Sequence, residues 1–393
     1  MQLRLWGCIM EKTKGYVSGY GVSLLLGDAW KEVKQKEDRA RLYYSNYPKS
    51  IQAPTQSSKI GKINDLDPVK YLNKDALKLT NRFVAMAVNG AGDALDQAGY
   101  LSQSVNRKEI GCIVGLSRPE FLSYSKLLHI LFKLNKISPV SFPLLSRNIV
   151  CGQICIQFGL MGYAQSIGSS SVSGAQSIIW GLRLIQRKRI QKILVGGVET
   201  LSMLSLHQNK VLYDEYYKGL RGVLDIDELV PSEGASFCML ESEDTSGQGV
   251  FVQEYMIGRL DSKNMEEQYS RIIQQFCEQS GVKWSDISMV CCSVSSVYFP
   301  HEQIEWEALN LLNQRFDSIP LLSAPKVVLG EAEACLSNLQ LVNAYEHLVN
   351  RRAIGQISWK SSEKGEDKEG LVLVSYLDRA FNYVLYWVKK EVG

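Results

Sequence analysis

The period of the hydrophobic positions changes along the chain, and each change marks an element. Over 79–98 apolar residues recur at Phe83, Ala87, Ala91, Ala94 and Leu95, the spacing of a helix with one buried face. Over 172–188 there is no Pro, and Ala175, Ile178, Ile179, Leu182 and Ile185 repeat that spacing. Tyr269, Ile272, Ile273 and Phe276 do the same over 265–280, and further helices are predicted at 148–157, 303–314 and 336–349. Short apolar runs predict strands at the start of 15–27 and over 110–114, 192–195, 235–241, 254–257, 290–294, 371–376 and 383–388. The runs 158–161 and 164–167 read as a strand approaching a turn. The polar stretch 40–68 and the Tyr-containing stretch 200–230 read as loops. Strands alternating with helices predict an α/β fold with a parallel-type sheet covered on both faces. The order occurs twice, and the short, polar, Gly-containing segment 245–249 divides it into halves 12–245 and 246–393.

The chain is organised around 158–199. Gly168 opens a Gly-Ser-Ser-Ser turn between the strand and the helix over 172–188, and that helix begins with the small residues Ser173, Gly174 and Ala175. Such residues predict very close packing at the helix start. Arg187, Lys188 and Arg189 put cations at its C-terminus, where the helix dipole favours them. A strand delivered through a sharp turn into a helix N-terminus is a common way to present a nucleophile. Here the residue at the turn has no side chain.

Composition narrows the function classes. With 44 basic and 41 acidic residues the net charge is +3, which gives no argument for nucleic acid or an anionic membrane. Nothing approaches the ~18 apolar residues of a membrane span. Residues 1–10 are too short and too mixed for a secretory signal, and the odd count of nine cysteines, most in apolar segments, leads to an expected cytoplasmic location. Nine cysteines occur, none in a Cys-x2-Cys pair, so no metal site is expected. Ser18-Gly19-Tyr20-Gly21 lacks the Lys and spacing of a phosphate loop, and no cofactor is expected. Asn89-Gly90-Ala91-Gly92 is read as close packing rather than a ligand loop.

Gln165-Ser166-Ile167-Gly168-Ser169-Ser170-Ser171 resembles the nucleophile turn of the ketosynthases of the thiolase superfamily, with Gly168 where those enzymes carry Cys. Leu194-Val195-Gly196-Gly197-Val198-Glu199 is similar to the strand end that follows it. Thr80-Asn81-Arg82-Phe83, the segment 139–152 and Pro231-Ser232-Glu233-Gly234-Ala235 resemble further family signatures. The resemblance implies a thiolase-like fold, a duplicated five-layered αβαβα sandwich. It also implies where chemistry should lie: a thiolate holds the acyl chain and two His stabilise the decarboxylating unit. Counting back eleven residues from Glu305 places the first His position at Val294. The family's Lys-x-x-x-Gly-His run aligns with Lys326 to Glu331, keeping Lys326 and Gly330 and putting Glu331 at the second His. Lys326 is expected to pair with Glu331, and His301 to be an exposed helix-start residue. The gate loop aligns with 374–382, keeping Ser375 and Asn382 and losing the mobile glycines, with Leu377, Asp378, Arg379 and Ala380 as its equivalent stretch.

With every reactive group lost and the scaffold kept, the chain is similar to chain-length factors, the catalytically inactive ketosynthase β subunits of type II polyketide and polyene synthases. The resemblance implies a heterodimer with an active ketosynthase, joined through the strand over 162–167. The growing chain would reach it on an acyl carrier protein through that partner. The product tunnel would be closed by residues from 117–124 and 139–142, with Arg118, Phe121, Ser141 and Phe142 as candidates. Two alternatives stay open. One is a diverged ketosynthase-fold enzyme, either a decarboxylase or a hydrolase using Ser169 or Ser170. The other is a homodimeric acyl-binding scaffold.

Overall fold

In a computed structural model the described residues are 14–24, 45–46, 59–72, 80–102, 105–118, 121–135, 142–216, 230–295, 299–357 and 370–391. The first half holds β1 (Gly15–Ser23), a small ribbon of β2 (Ser45–Asn46) and β3 (Lys59–Ile60), α1 (Arg82–Gln97), β4 (Gly111–Leu116), α2 (Phe121–Leu134) and α3 (Ile149–Phe158). It continues with β5 (Ala164–Gly168), α4 (Ser173–Gln186), β6 (Lys192–Glu199), α5 (Met203–Tyr216) and β7 (Gly234–Glu241). The second half holds β8 (Val250–Arg259), α6 (Met265–Ser280), β9 (Met289–Cys291), α7 (Pro300–Phe316) and β10 (Leu321–Ser323). It ends with α8 (Lys326–Leu329), α9 (Glu333–Asn350), β11 (Gln356–Ile357), β12 (Leu371–Leu377) and β13 (Asn382–Lys390).

The sheet order is β11-β10-β9-β12-β13-β8-β1-β7-β6-β4-β5. Within it the two halves repeat one topology. β1-β7-β6-β4-β5 and β8-β13-β12-β9-β10 match strand for strand, and the sense of every pairing matches as well. The outer pairs β4/β5, β4/β6, β9/β10 and β9/β12 are parallel, whereas β1/β7, β6/β7, β8/β13 and β12/β13, nearer the middle of the sheet, are antiparallel. The sheet is therefore mixed, not parallel-type. The last strand of each half returns beside the first, which helix periodicity could not reveal. The halves meet where β1 pairs β8 through Gly15↔Val252 and Tyr16↔Phe251. Between β7 and β8, the Asp244 carboxylate accepts from the amides of Ser246, Gly247 and Gly249 and shapes the turn.

Three apolar layers alternate with the strands. Along β13 Val384, Tyr386 and Val388 face a central core, while Tyr383, Leu385 and Trp387 face an outer one. The central core takes α4 and α9, one outer core takes α1 and α3, and the other takes α6 and α7. This is the expected α/β thiolase-like arrangement. Helix α9 is buried on almost every side, and several of its polar side chains find buried partners. Asn338 accepts from Ser236 Oγ at 2.9 Å, and Asn343 donates to Ser323 Oγ at 2.7 Å. The small residues opening α4 have the predicted use. A Cβ at Gly174, or at Gly197 on β6, would overlap the carbonyl oxygen of Ala334 in the first turn of α9.

Two local expectations are corrected. Residues 158–161 do not begin a strand: Phe158 ends α3, and Gly159 caps it with a left-handed φ of 68°. The stretch 200–230 is not all loop, since 203–216 form α5. The side chains of Tyr213, Tyr216 and Tyr217 lie outside the described residues. No helix among the described residues is long and apolar enough to cross a membrane.

Candidate functional site

Strand β5 sits at the end of the sheet, paired only with β4 among the described residues, and its last residue, Gly168, lies opposite Leu116. Gly168 is exposed. The space a Cβ would take there holds the guanidinium of Arg147, from the turn before α3. The serines that follow are tied to the second half. Ser170 Oγ donates to the Asp378 carboxylate, and Ser171 hydrogen-bonds the Tyr376 hydroxyl. Ser170 thus meets a carboxylate directly, with no imidazole between them to act as base.

Asp378 also explains the gate-loop equivalent. Its Oδ1 accepts from the amides of Ala380 at 2.9 Å and Asn382 at 2.8 Å, and Asn382 Nδ2 reaches both carboxylate oxygens. The β12–β13 turn is pinned by one fully buried carboxylate, and Leu377 anchors its start in the outer core. Arg379 lays its guanidinium over the Phe299 ring, 4.3 Å from the centroid.

Beneath this turn lies a buried charged cluster. Short helix α8 delivers Lys326, whose Nζ makes ion pairs with both Glu302 and Glu331. Burial pulls the Lys326 pKa down, but the two carboxylates outweigh it and hold the ammonium above its usual value. Ser295 Oγ donates to Glu302 at 2.7 Å, and Arg379 stands 3.9 Å from Glu331. The expected Lys326–Glu331 pair is therefore present, and Glu302 is a second partner.

His301 corrects an expectation. It is 3% exposed, packed against Phe299, with Nε2 3.9 Å from Glu302. Burial first, then Lys326 and Arg379, push its pKa well below the usual 6.5, so the ring is neutral at pH 7. The Pro300 start suggested an exposed first turn, but that turn is instead covered by α8 and the Arg379 turn.

Val294 is fully buried in the outer core. Nearby, Glu305 accepts from the Ser293 amide at 2.9 Å and from the hydroxyls of Ser293 and Ser375. Burial raises its pKa to about 7. Ser375 also hydrogen-bonds Tyr269 at 2.8 Å, so this retained gate residue is held in a structural network.

Arg118 closes the other side. Its guanidinium ion-pairs with Glu333 and lies 3.5 Å from the Asn209 amide oxygen. Glu333 opens α9 with φ 34°, an uncommon conformation for a side-chain-bearing residue. Ser117 donates to Glu199, whose pKa burial raises to about 7. Of the proposed tunnel residues, Phe142 is 62% exposed beside the short turn Pro143–Leu145, whose Leu145 carbonyl accepts from Tyr124 at 3.0 Å. Ser141 and the Phe121 side chain lie outside the described residues.

The structure thus gathers Lys326, Glu331, Asp378 and Arg379 around one turn, with Gly168 two residues before the Ser170 that meets Asp378. It adds Glu302, Glu333 and Glu199, which the sequence reading passed over. Glu302 and Glu305 stand one helical turn apart behind Pro300, and that pairing was the available signal.

Comparison with known proteins bears on this arrangement. The profile described as Beta-ketoacyl synthase, N-terminal domain, matches residues 14–246. The chain is similar to 3-oxoacyl-[acyl-carrier-protein] synthase 2 of Coxiella burnetii (strain RSA 493 / Nine Mile phase I), with 25% identity over 203 residues, covering 49% of this chain and 47% of that protein. The chain thus spans about half the length of the curated relative it matches. Among solved structures it superposes on the ishigamide ketosynthase/chain length factor with a TM-score of 0.80 and 15% identity, covering 97% of this chain and 100% of that one. A second, described as AntDE:AntF (apo), a type II PKS acyl-carrier protein in complex with its ketosynthase bound to the hexaketide, gives 0.76 and 13%, with the same coverage. At these identities the structural likeness speaks for the fold.

Proposed function

The chain belongs to the beta-ketoacyl synthase family, and from that premise we propose that it is a chain-length factor. On this reading it is a subunit without condensing activity that pairs with an active ketosynthase and shapes the acyl tunnel between them. The observation that carries the reading is the joint state of the three reactive positions. Gly168 offers no nucleophile, Val294 is buried among apolar side chains, and the Glu331 carboxylate is engaged by Lys326. A carboxylate at that position repels a malonyl anion instead of binding it.

The division at 245/246, on this reading, separates two thiolase-like halves. Strand β5 is the surface that meets the partner's sheet. It is exposed at Ala164 and Gly168, and Ile156, Met161 and Tyr163 stand exposed in the neighbouring chain. Helix α2 and the turn around Phe142 contribute Leu128, Phe132 and Phe142, also exposed, toward the tunnel mouth. Arg118, Phe121 and Ser141 are its remaining candidates, and the 377–380 turn is the equivalent of an active enzyme's gate. An acyl carrier protein delivers the chain through the ketosynthase.

The test is co-expression with an active ketosynthase from the same genome, followed by native mass spectrometry of each chain alone and together. A one-to-one heterodimer, with product length shifting when Phe121 or Phe142 is enlarged or reduced, is the expected result. A stable homodimer that ignores the ketosynthase would overturn the reading in favour of an acyl-binding scaffold. Carbon dioxide release from a malonyl thioester by the purified chain would overturn it in favour of a diverged enzyme.

A further inference from the structure

Spacing along the sequence gives no Cys-x2-Cys pair, yet folding gathers three cysteines. Cys151 and Cys155 stand one turn apart on α3, on the face that packs against β4, and Cys112 lies on β4 beneath them. Their three sulfurs all lie within 4.8 Å of one another. Cys112 and Cys151 are buried and Cys155 is half-buried. Cys151 Sγ donates to the Cys112 carbonyl at 3.4 Å. The lining is otherwise apolar, with Val114, Val150, Ile154 and Phe158 in the same core. No other group of three His, Cys, Asp or Glu side chains among the described residues has ligand atoms placed this way.

We propose that Cys112, Cys151 and Cys155 hold a thiophilic d10 cation, zinc(II) or copper(I), at a site separate from the charged cluster around Lys326. Zinc–sulfur bonds of about 2.3 Å put the sulfurs of a trigonal or tetrahedral site roughly 3.8–4.0 Å apart. Sulfurs already within 4.8 Å of one another stand close to that spacing. Three soft donors without a nitrogen or oxygen ligand select these ions over hard cations. Copper(I) is satisfied by the three sulfurs. Zinc takes a water as fourth ligand from the open side at Cys155. The cation also offsets thiolate charge that is costly in an apolar core. Binding ties α3, and the Arg147 turn that leads into it, to the inner strand β4.

The test uses the full chain, purified with a phosphine reductant. It is titrated with cobalt(II), then zinc(II), and separately with copper(I), and read by absorption and native mass spectrometry. One cation per chain is expected, with sulfur-to-cobalt charge-transfer bands that zinc displaces, or with copper(I) alone if the site stays three-coordinate. Losing a group that merely orients a ligand costs about 10–100-fold in metal affinity. Cys155→Ser, which removes a ligand, is expected to cost at least as much, while Cys277→Ser, in another core, changes nothing. Cys155 is half-buried, so its replacement is compatible with folding where Cys151→Ser is not. Failure of the wild-type chain to take up a stoichiometric amount of either metal would overturn the proposal. So would uptake that survives both Cys155→Ser and Cys155→Ala.

Discussion

The guanidinium of Arg147 lies over Gly168, in the space a side chain at that turn would occupy. The obstacle is the far end of a flexible side chain, so a Cys can be accommodated once Arg147 swings away. Gly168→Cys is expected to fold and to alkylate, yet to release no carbon dioxide from a malonyl thioester above buffer background. The positions aligned with the two imidazoles would still hold Val294 and Glu331. Turnover by this single variant would show that those two positions do not limit the chemistry.

Lys326 is the counter-charge of two buried carboxylates. Removing one partner of a buried ion pair and leaving the other costs about 3–5 kcal/mol. Lys326→Met is expected to lose stability of that order in urea unfolding. Adding Glu302→Gln and Glu331→Gln should restore much of it by removing the stranded charges. If the triple variant is as unstable as the single one, the loss comes from packing and not from charge.

Two kinds of buried group give stability opposite slopes with pH. Glu199 and Glu305 titrate near 7 in the folded chain against 4.5 ordinarily. The native state therefore holds more protons than the unfolded one between those values. Stability falls as pH rises through that window, by on the order of 3 kcal/mol for each group. His301 runs the other way. Its folded pKa lies well below 6.5, so the unfolded chain takes up the proton first, and stability falls as pH drops through 6.5. The melting temperature of Glu305→Gln relative to wild type should rise from pH 5 to pH 8. That of His301→Gln should rise from pH 7 to pH 5. Parallel shifts in the two variants would contradict these assignments.

The meeting of α4, β6 and α9 leaves no room for a methyl group. Gly197→Ala would drive its Cβ into the Ala334 carbonyl oxygen, and Gly174→Ala would meet the same atom. Overpacking of this kind typically costs about 1–3 kcal/mol and sometimes more. Here backbone must move in two elements, so the upper end or insoluble expression is expected. Gly152, half-buried on α3 with nothing within 4 Å of an added Cβ, is the control. Gly152→Ala should be neutral or mildly stabilising in the same thermal melt.

Much of this was legible in the sequence because it rests on periodicity. The helix over 265–280 has its observed bounds, and Gly174 announced the close approach to α9. The Lys326–Glu331 pair could be foreseen because both residues lie in one short segment. What escaped was set by tertiary pairing. The antiparallel return of β7 and β13 beside the first strand of each half leaves no mark on local hydrophobicity. The burial of His301 depends on the Arg379 turn, nearly 80 residues away. The gathering of Cys112 with Cys151 and Cys155 depends on α3 lying across β4. Glu302 and Glu333 drew no notice because isolated carboxylates read as solvated until a cation is placed beside them.

Strand β5 has a neighbour on one side only among the described residues, and its chain is exposed at both ends. Its free edge is a template onto which any extended chain can add, including another copy of itself. None of the usual guards stands within it: Ala164-Gln165-Ser166-Ile167-Gly168 contains no charge and no proline. The amount of this protein a cell can carry without sheet-to-sheet aggregation is therefore governed by the supply of whatever covers β5, and not by how tightly its own core is packed.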